Sequence, residues 1–495
     1  MKGKVGYWLL AIFLITIVLR LTIAFLTPNL TYDSYFHVRH VEYIADTGLP
    51  LYSDPLSYGG RINTFLPFFH YFTAFLSIFI PLGLLVKLIP NIAIATLTIL
   101  VYLISKKITN NENASLFSAA IAGVLPILYS TNYFGPSTLF LPLVFLLIYS
   151  FMNIKESFHV YLYILTFLIL SVTSPSTIFI LIGFLIYLLL SVLESKRINK
   201  SEIEIMIFSL FFFLWVQFIV YKEVLLKEGL GFIWQNVPTQ IIQQYFPVIS
   251  VAEALVLISI IPFVAGIFVV YRSLFQLKNQ KAFLLISLAI STTILTWLKV
   301  IEFGLSLSFF AIILAILFAI FYQDLSRYVQ KTKFYNYHKG ISLTLAILVI
   351  ITIIPPALNV ALNQEIPSNE EIDAFKWLKD NAAQDAVVAA ELQDGHLITY
   401  YSKKKNFIDN QFNLIKDIDK RFKSLNSLFL TKFQTQAISI FDDHKISYLV
   451  LTENAKNTYN IKQLDYVDED CFDLVYDAQT KIYKVRCELT AGQES

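Results

Sequence analysis

The chain is 495 residues long, with 56% hydrophobic, 15% aromatic and 15% charged residues and a formal net charge of +2. Soluble proteins carry about 45–50% apolar and about 25% charged residues, so this much apolar side chain has no place inside a water-soluble globule. The near-neutral balance gives a nucleic-acid partner no electrostatic support, and only two cysteines, Cys471 and Cys487, exclude a cysteine-rich metal or disulfide scaffold.

Apolar runs of the about 17–25 residues that a bilayer requires occur at 7–26, 86–105, 113–129, 136–152, 157–173, 176–193, 203–221, 248–271, 282–298, 303–323 and 340–360. They predict a polytopic α-helical membrane protein of about 11–13 transmembrane helices. The first run contains Arg20 and is followed by no small-residue cleavage site, so it reads as a retained span rather than a signal peptide. A further apolar stretch, 65–84, is interrupted by Pro67, His70 and Pro81. Basic residues mark cytoplasmic loops. With eleven spans they gather in the loops around Lys106-Lys107, Lys155, Lys196-Arg197, Arg272 and Arg327. Counting 65–84 as a span would turn Lys106-Lys107 outward, so that stretch is predicted to be an external or re-entrant amphipathic segment. Beyond about residue 361 charged and amide residues become dense. The chain therefore divides into a membrane domain, 1–360, and a soluble extracytoplasmic tail, 361–495. Polar chemistry falls on the outer side, in the first loop (27–85), a second loop (222–247) and the tail, which suits an enzyme at the membrane surface better than a transporter.

The first loop begins beside the membrane. The run 33–45 has helical character, which sets Asp33 and His37 on neighbouring turns of one face. Gly48, Pro50, Asp54-Pro55 and Gly59-Gly60 follow as turn signals. A carboxylate here, with His37, Arg39, His40 and Arg61 nearby, suits deprotonation of an acceptor and capture of a lipid phosphate. The same residues also read as a solvated amphipathic helix whose charges merely pair.

These residues resemble a family. Asp33-Ser34-Tyr35-Phe36-His37-Val38-Arg39, then Glu42-Tyr43 and Gly48, is similar to the first-loop signature of the catalytic subunit of oligosaccharyltransferases, members of the GT-C class of polyprenyl-phosphate-dependent glycosyltransferases. The tail resembles the same family around its WWDYG motif, through Ile372–Leu378, Asp394-Gly395-His396 and Asn406-Phe407-Ile408-Asp409-Asn410. The strand-like run Ile446–Leu451 and a terminal hairpin over Phe472–Val485 fit that domain too. The resemblance implies a GT-C-like membrane fold with a C-terminal α/β domain. It also implies transfer of a sugar or oligosaccharide from a polyprenyl-phosphate-linked donor, membrane-lipid contacts, and Asp33 as the catalytic carboxylate.

The chain also departs from the family. In place of WWDYG stands Glu391-Leu392-Gln393-Asp394-Gly395, which lacks the indoles that recognise the Ser/Thr of a glycosylation sequon. The second acidic motif is replaced by Asn132-Tyr133-Phe134-Gly135-Pro136-Ser137. The second-loop Glu is replaced by Trp234-Gln235-Asn236-Val237-Pro238, with Glu228 upstream, and the late Arg-Phe by Glu302-Phe303. A hard divalent cation such as Mg or Mn, which the resemblance implies, usually needs more than one carboxylate. Asp33 is matched, and Asp54 is a second candidate. Two readings stand: a GT-C enzyme with a different donor and acceptor, using Asp33 as a metal-free base and Arg39 and Arg61 on the lipid phosphate, or a non-catalytic relative that binds lipid-linked sugar or partners.

Cys471 and Cys487 flank the terminal hairpin and suit a bridge across it on an oxidising face; two buried thiols are the alternative. The histidines show no metal-ligand spacing. Asn29-Leu30-Thr31 matches a glycosylation sequon but abuts the membrane, and Lys403-Lys404-Lys405 reads as a solvated turn. No Gly-rich phosphate loop, nucleophilic Ser or Cys motif, or internal repeat is present.

Overall fold

The structure, a computed structural model, describes residues 2–196, 198–229, 250–277, 280–333, 335–412 and 414–488. Trp234–Pro238 of the second outer loop lie outside the described residues. The chain forms two compact units: Met1–Pro28, Leu66–Lys222 and Gln243–Gln364 make the first, and Asn29–Phe65, Glu223–Ile242 and Glu365–Ser495 the second.

The first unit is helical. Among the described residues six helices are long and apolar enough to cross a membrane: Val5–Ala24, Leu82–Thr109, Pro175–Leu193, Lys200–Leu226, Phe303–Gln330 and Tyr335–Leu362. A bent pair, Val251–Ile258 and Ile260–Gln276, broken by 92°, makes a seventh if counted as one span. Ser137–Met152, Ser157–Ser171 and Ala282–Trp297 are apolar but shorter, and Glu112–Gly123 stops before the 3₁₀ turn Pro126–Leu128. Every apolar run in the sequence thus contains a helix. Hydropathy does not reveal where helices break, which proline and local packing decide. The stretch 65–84 contains the ten-residue helix Phe68–Ser77, about 15 Å long at 1.5 Å per residue; it is too short to cross the about 30 Å of hydrocarbon.

Helix contacts here depend on missing side-chain volume. A Cβ on Gly183 would lie 2.4 Å from Leu288, and one on Gly266 would lie 2.5 Å from Leu314. Two buried cations cap chain ends rather than form a pathway. Arg20 Nη1 donates to Leu128 O (2.6 Å) and lies over the Tyr129 ring. Lys87 Nζ donates to Ala24 O (2.6 Å) at the end of the first helix, and also to Thr27 O. Both neutralise carbonyls that helix or turn geometry leaves unpaired. Asn132 donates from Nδ2 to Thr27 Oγ1 (2.9 Å) and from its backbone N–H to Gln364 Oε1 (2.9 Å). Glu302 directly precedes the helix Phe303–Gln330.

The second unit combines the first loop with the tail. In the loop, the helix Tyr32–Thr47 is followed by a short antiparallel ladder of β1 (Ser53–Asp54) and β2 (Arg61–Ile62). The tail holds β3 (Val387–Ala389), β4 (Lys405–Asn406), β5 (Ile446–Leu451), β6 (Phe472–Asp477) and β7 (Lys481–Val485) in the order β4-β3-β5-β7-β6. Pairing is parallel on the β4-β3-β5 side and antiparallel on the β5-β7-β6 side. Central β5 is apolar almost throughout and nearly fully buried, the pattern of a strand covered on both faces. The helix Asn369–Asn381 opens on a capping box between Ser368 and Glu371.

Cys471 and Cys487 are joined by a disulfide across the β6-β7 ribbon. Alkylation of unfolded, unreduced protein should therefore modify no cysteine, and reduction should expose two. Replacing both with Ser should cost about 3 kcal/mol, the value for a loop of about 15 residues, read as a lower melting temperature.

Candidate active site

The loop helix Tyr32–Thr47 begins after Thr31, an extended N-cap, and ends on Gly48 at φ 74°, the left-handed position that glycine fills without strain. Asp33 sits in its first turn, where the helix dipole favours negative charge, and is half-buried. The two aromatics after it anchor the helix. Tyr35 packs against Tyr400 and Tyr401 (centroids 5.3 Å each), and Phe36 packs against His40 (4.1 Å) and His396 (5.5 Å). Glu42 accepts from Tyr400 Oη (2.9 Å).

The Asp33 carboxylate accepts a hydrogen bond from Asn410 Nδ2. Asn410 Oδ1 lies 2.6 Å from His396 Nε2. An amide oxygen only accepts, so Nε2 of His396 must carry the proton. The reverse amide orientation would set oxygen against carboxylate. His396, Asn410 and Asp33 thus form a directed chain that fixes one oxygen of Asp33.

Asp409, the preceding residue, is buried. It accepts from Ser57 Oγ (2.6 Å), Asn406 Nδ2 (2.9 Å) and Gln411 N (2.8 Å), with Arg61 at 3.8 Å. Burial alone would raise its pKa. The charges of Arg61 and His396 and these hydrogen bonds outweigh it, and the carboxyl lies below its ordinary range. Tyr58 N donates to Asn406 Oδ1 (2.6 Å) and Tyr58 Oη to Asp409 O.

The other candidates from the loop separate into distinct roles. Arg39 clasps Asp54 through two hydrogen bonds (2.8 and 2.6 Å), and Asp54 also accepts from Leu56 N (2.9 Å) and Ser57 N (3.2 Å). These bonds overcome burial and lower the Asp54 pKa. Arg39 and Arg61 therefore do not form a joint pair; each faces its own carboxylate. His37, one turn after Asp33, is half-buried, with its ring edge-on to Phe36 at 5.2 Å. His40 is fully buried, which pushes its pKa well below the ordinary value; the neutral ring bridges Phe36 O (2.7 Å) and Asn63 Nδ2 (3.3 Å).

The segment Glu391–Gly395 does not form an open binding wall. Glu391, Leu392, Asp394 and Gly395 are buried, and Gln393 is half-buried. Glu391 accepts from Asn454 Nδ2 (3.0 Å), Asp394 from Thr452 Oγ1 (2.6 Å), and nearby Glu371 from Tyr32 Oη (3.2 Å). Burial raises the Glu391 pKa to about 7 and drives that of Asp394 well up, reinforced by the charges of Glu391 and Glu371. Gly395 is needed for space: a Cβ there would lie 2.3 Å from Ile408 O and 2.7 Å from Asp409 Cβ.

Among the described residues no three His, Cys, Asp or Glu side chains are placed to hold a metal ion. Asp54 and Asp409 each face an arginine, Arg39 and Arg61. Sequence reasoning placed Asp409 and Asn410 in a family-like segment but gave them no role at the site. It also missed His396, Ser57 and Tyr58. The Asp-Asn pair just downstream of the altered motif was the available signal.

The fold has known counterparts. No family model matches the chain. The crystal structure of the Archaeoglobus fulgidus oligosaccharyltransferase in its apo form matches with a TM-score of 0.70 at 13% identity, over 90% of this chain and 70% of that one. The chain shares the overall fold of that membrane protein. ArnT from Cupriavidus metallidurans, bound to undecaprenyl phosphate, matches with a TM-score of 0.55 at 10% identity over 98% of both chains. In sequence, the chain is 34% identical over 125 residues to dolichyl-phosphooligosaccharide-protein glycotransferase 2 of Archaeoglobus fulgidus, which is 24% of this chain and 21% of that protein. The chain thus matches about a fifth of the length of this curated relative.

Two outcomes follow from the geometry. Gly395→Ala should force residues 408–409 away, speed amide hydrogen exchange across 406–411 and cost about 1–3 kcal/mol, as overpacking does. For Glu391 the folded pKa, about 7, is raised above its ordinary 4.5. The native state then binds more protons than the unfolded one between these values, so stability falls as pH rises from 4.5 to 7. Melting temperatures across that window should show the decline, and Glu391→Gln should flatten it.

Proposed function

We propose that this chain is an integral membrane glycosyltransferase of GT-C type. It transfers a sugar or oligosaccharide from a polyprenyl-phosphate-linked donor to an acceptor on the outer face of the cell membrane. The observation that carries the reading is the Asp33 carboxylate, held by the Asn410–His396 chain at the start of the loop helix. The apolar helices and the fold likeness support membrane residence. The disulfide supports an oxidising side for the tail.

Asn410 occupies Oδ1 of Asp33, which leaves Oδ2 for the acceptor proton. The acceptor heteroatom attacks the anomeric carbon, the bond from that carbon to the donor phosphate oxygen breaks, and the polyprenyl phosphate departs as the anion. The acceptor proton ends on Asp33. Arg39 and Asp54 brace the loop through their paired hydrogen bonds, and we assign His37, one turn after Asp33, to the donor phosphate or the acceptor. The Glu391–Gly395 segment offers no indole wall for a sequon hydroxyl, which favours an acceptor other than a Ser/Thr sequon peptide.

Asp33→Asn, expressed at wild-type level, should lower transfer by about 10²–10⁴-fold, the usual contribution of a general base. The measurement is mass profiling of surface glycans and lipid-linked sugars in cells. Unchanged profiles would refute a catalytic Asp33. Purified wild-type protein that binds a lipid-linked sugar but never consumes it would refute the enzyme and support a binding role.

A further inference from the structure

A cavity of about 800 Å³ in the second unit has no part in this chemistry. Its size lies within the about 300–1,000 Å³ typical of organic-ligand pockets, well beyond what a lone ion fills. Arg61 lines it with a side chain only 3% exposed. Nη1 of Arg61 donates to Gln411 O, but Nε and Nη2 are buried without a hydrogen-bond partner among the described residues, and Nη2 reaches Asp409 only at 3.8 Å. Buried unpaired donors are costly, more so on a charged group. This edge of the guanidinium has the fork geometry that binds two oxygens of an oxyanion.

The rest of the wall favours negative charge. Lys416 and Lys420 are exposed, and Arg421 is half-buried. With Arg61 they set four cations against the carboxylates of Asp417 and Glu223, while Asp409 faces Arg61 at 3.8 Å. The Tyr58 ring is within cation–π reach of both Arg61 (5.1 Å) and Arg421 (5.6 Å). Burial, then the charges of Arg421 and Lys420, lower the pKa of His444, so this lining residue is neutral near pH 7.

We propose that the cavity is a saccharide subsite for an anionic sugar, whose carboxylate, sulfate or phosphate is seated on the Nε–Nη2 edge of Arg61, with the ring extending toward Lys416 and Lys420. This rests on the glycosyltransferase reading and adds a substrate class to it. A run of contacts links the cavity wall to the proposed base: Arg61 faces Asp409, and the next residue, Asn410, holds Asp33. A lipid phosphate shares the oxyanion chemistry; the volume favours a sugar.

Isothermal titration of the full-length protein in detergent separates these sources, with digalacturonate, the matching neutral galactose disaccharide and undecaprenyl phosphate as probes. Digalacturonate should bind at least about tenfold more tightly than the neutral disaccharide. Its affinity should fall with added salt, and by about tenfold, or about 1.4 kcal/mol, in the K416Q/K420Q double variant. Both lysines are exposed, so this variant should fold normally, which its melting temperature checks. Asp33→Asn should retain digalacturonate binding, so failure of the catalytic reading would leave this result intact. Equal affinity for the neutral disaccharide, or affinity indifferent to both lysines and salt, would overturn the proposal. So would a lysine-dependent affinity for undecaprenyl phosphate without any for digalacturonate.

Discussion

The second unit depends on one close crossing. Residues 408–409 pass over Gly395 at a distance that leaves no room for a Cβ. That approach lets Asn406 Nδ2 donate to Gly395 O (3.0 Å) and brings Asp409 and Asn410 to opposite tasks. Asp409 gathers Ser57 and Arg61 from the first loop, and Asn410 reaches Asp33. Without the crossing, Asp33 would be an ordinary first-turn aspartate on a surface helix.

Environment, rather than residue type, assigns the carboxylates. Asp54 and Asp409 are buried but matched by arginines and hydrogen bonds, so they stay ionised and structural. Glu391 and Asp394 are buried, and neighbouring carboxylates reinforce the effect of burial, so their proton affinities rise. The segment Glu391–Gly395 is thus part of a protonatable core rather than an exposed surface. Asp33 alone among these carboxylates combines partial exposure with a directed hydrogen-bond chain.

The first unit was legible for a simple physical reason. Apolar runs must form helices in a bilayer, because no water is present to satisfy the backbone. Each run does contain a helix, and the ten-residue helix within 65–84 is shorter than a span. The lengths were less legible. Breaks such as the 92° bend between Val251–Ile258 and Ile260–Gln276 depend on local backbone conformation that hydropathy does not encode. The cations Arg20 and Lys87 lie within apolar helices. Their partners, carbonyls at the ends of other segments, exist only in the folded chain.

The excess of apolar residues, the clustering of basic loops and the Asp33 signature are properties of the linear chain. They pointed to a multi-span membrane protein, a first loop and tail rich in polar groups, and Asp33 as a candidate carboxylate. The sequence alone also placed Cys471 and Cys487 at the two ends of one hairpin. Tertiary structure decided which charges remain available. It tied Arg39 to Asp54, gave Asp33 its partner 377 residues away, buried most of Glu391–Gly395 and left two nitrogens of Arg61 without a hydrogen-bond partner among the described residues. Such pairings depend on distances of a few ångströms between segments hundreds of residues apart, and composition, periodicity and local spacing carry no record of them.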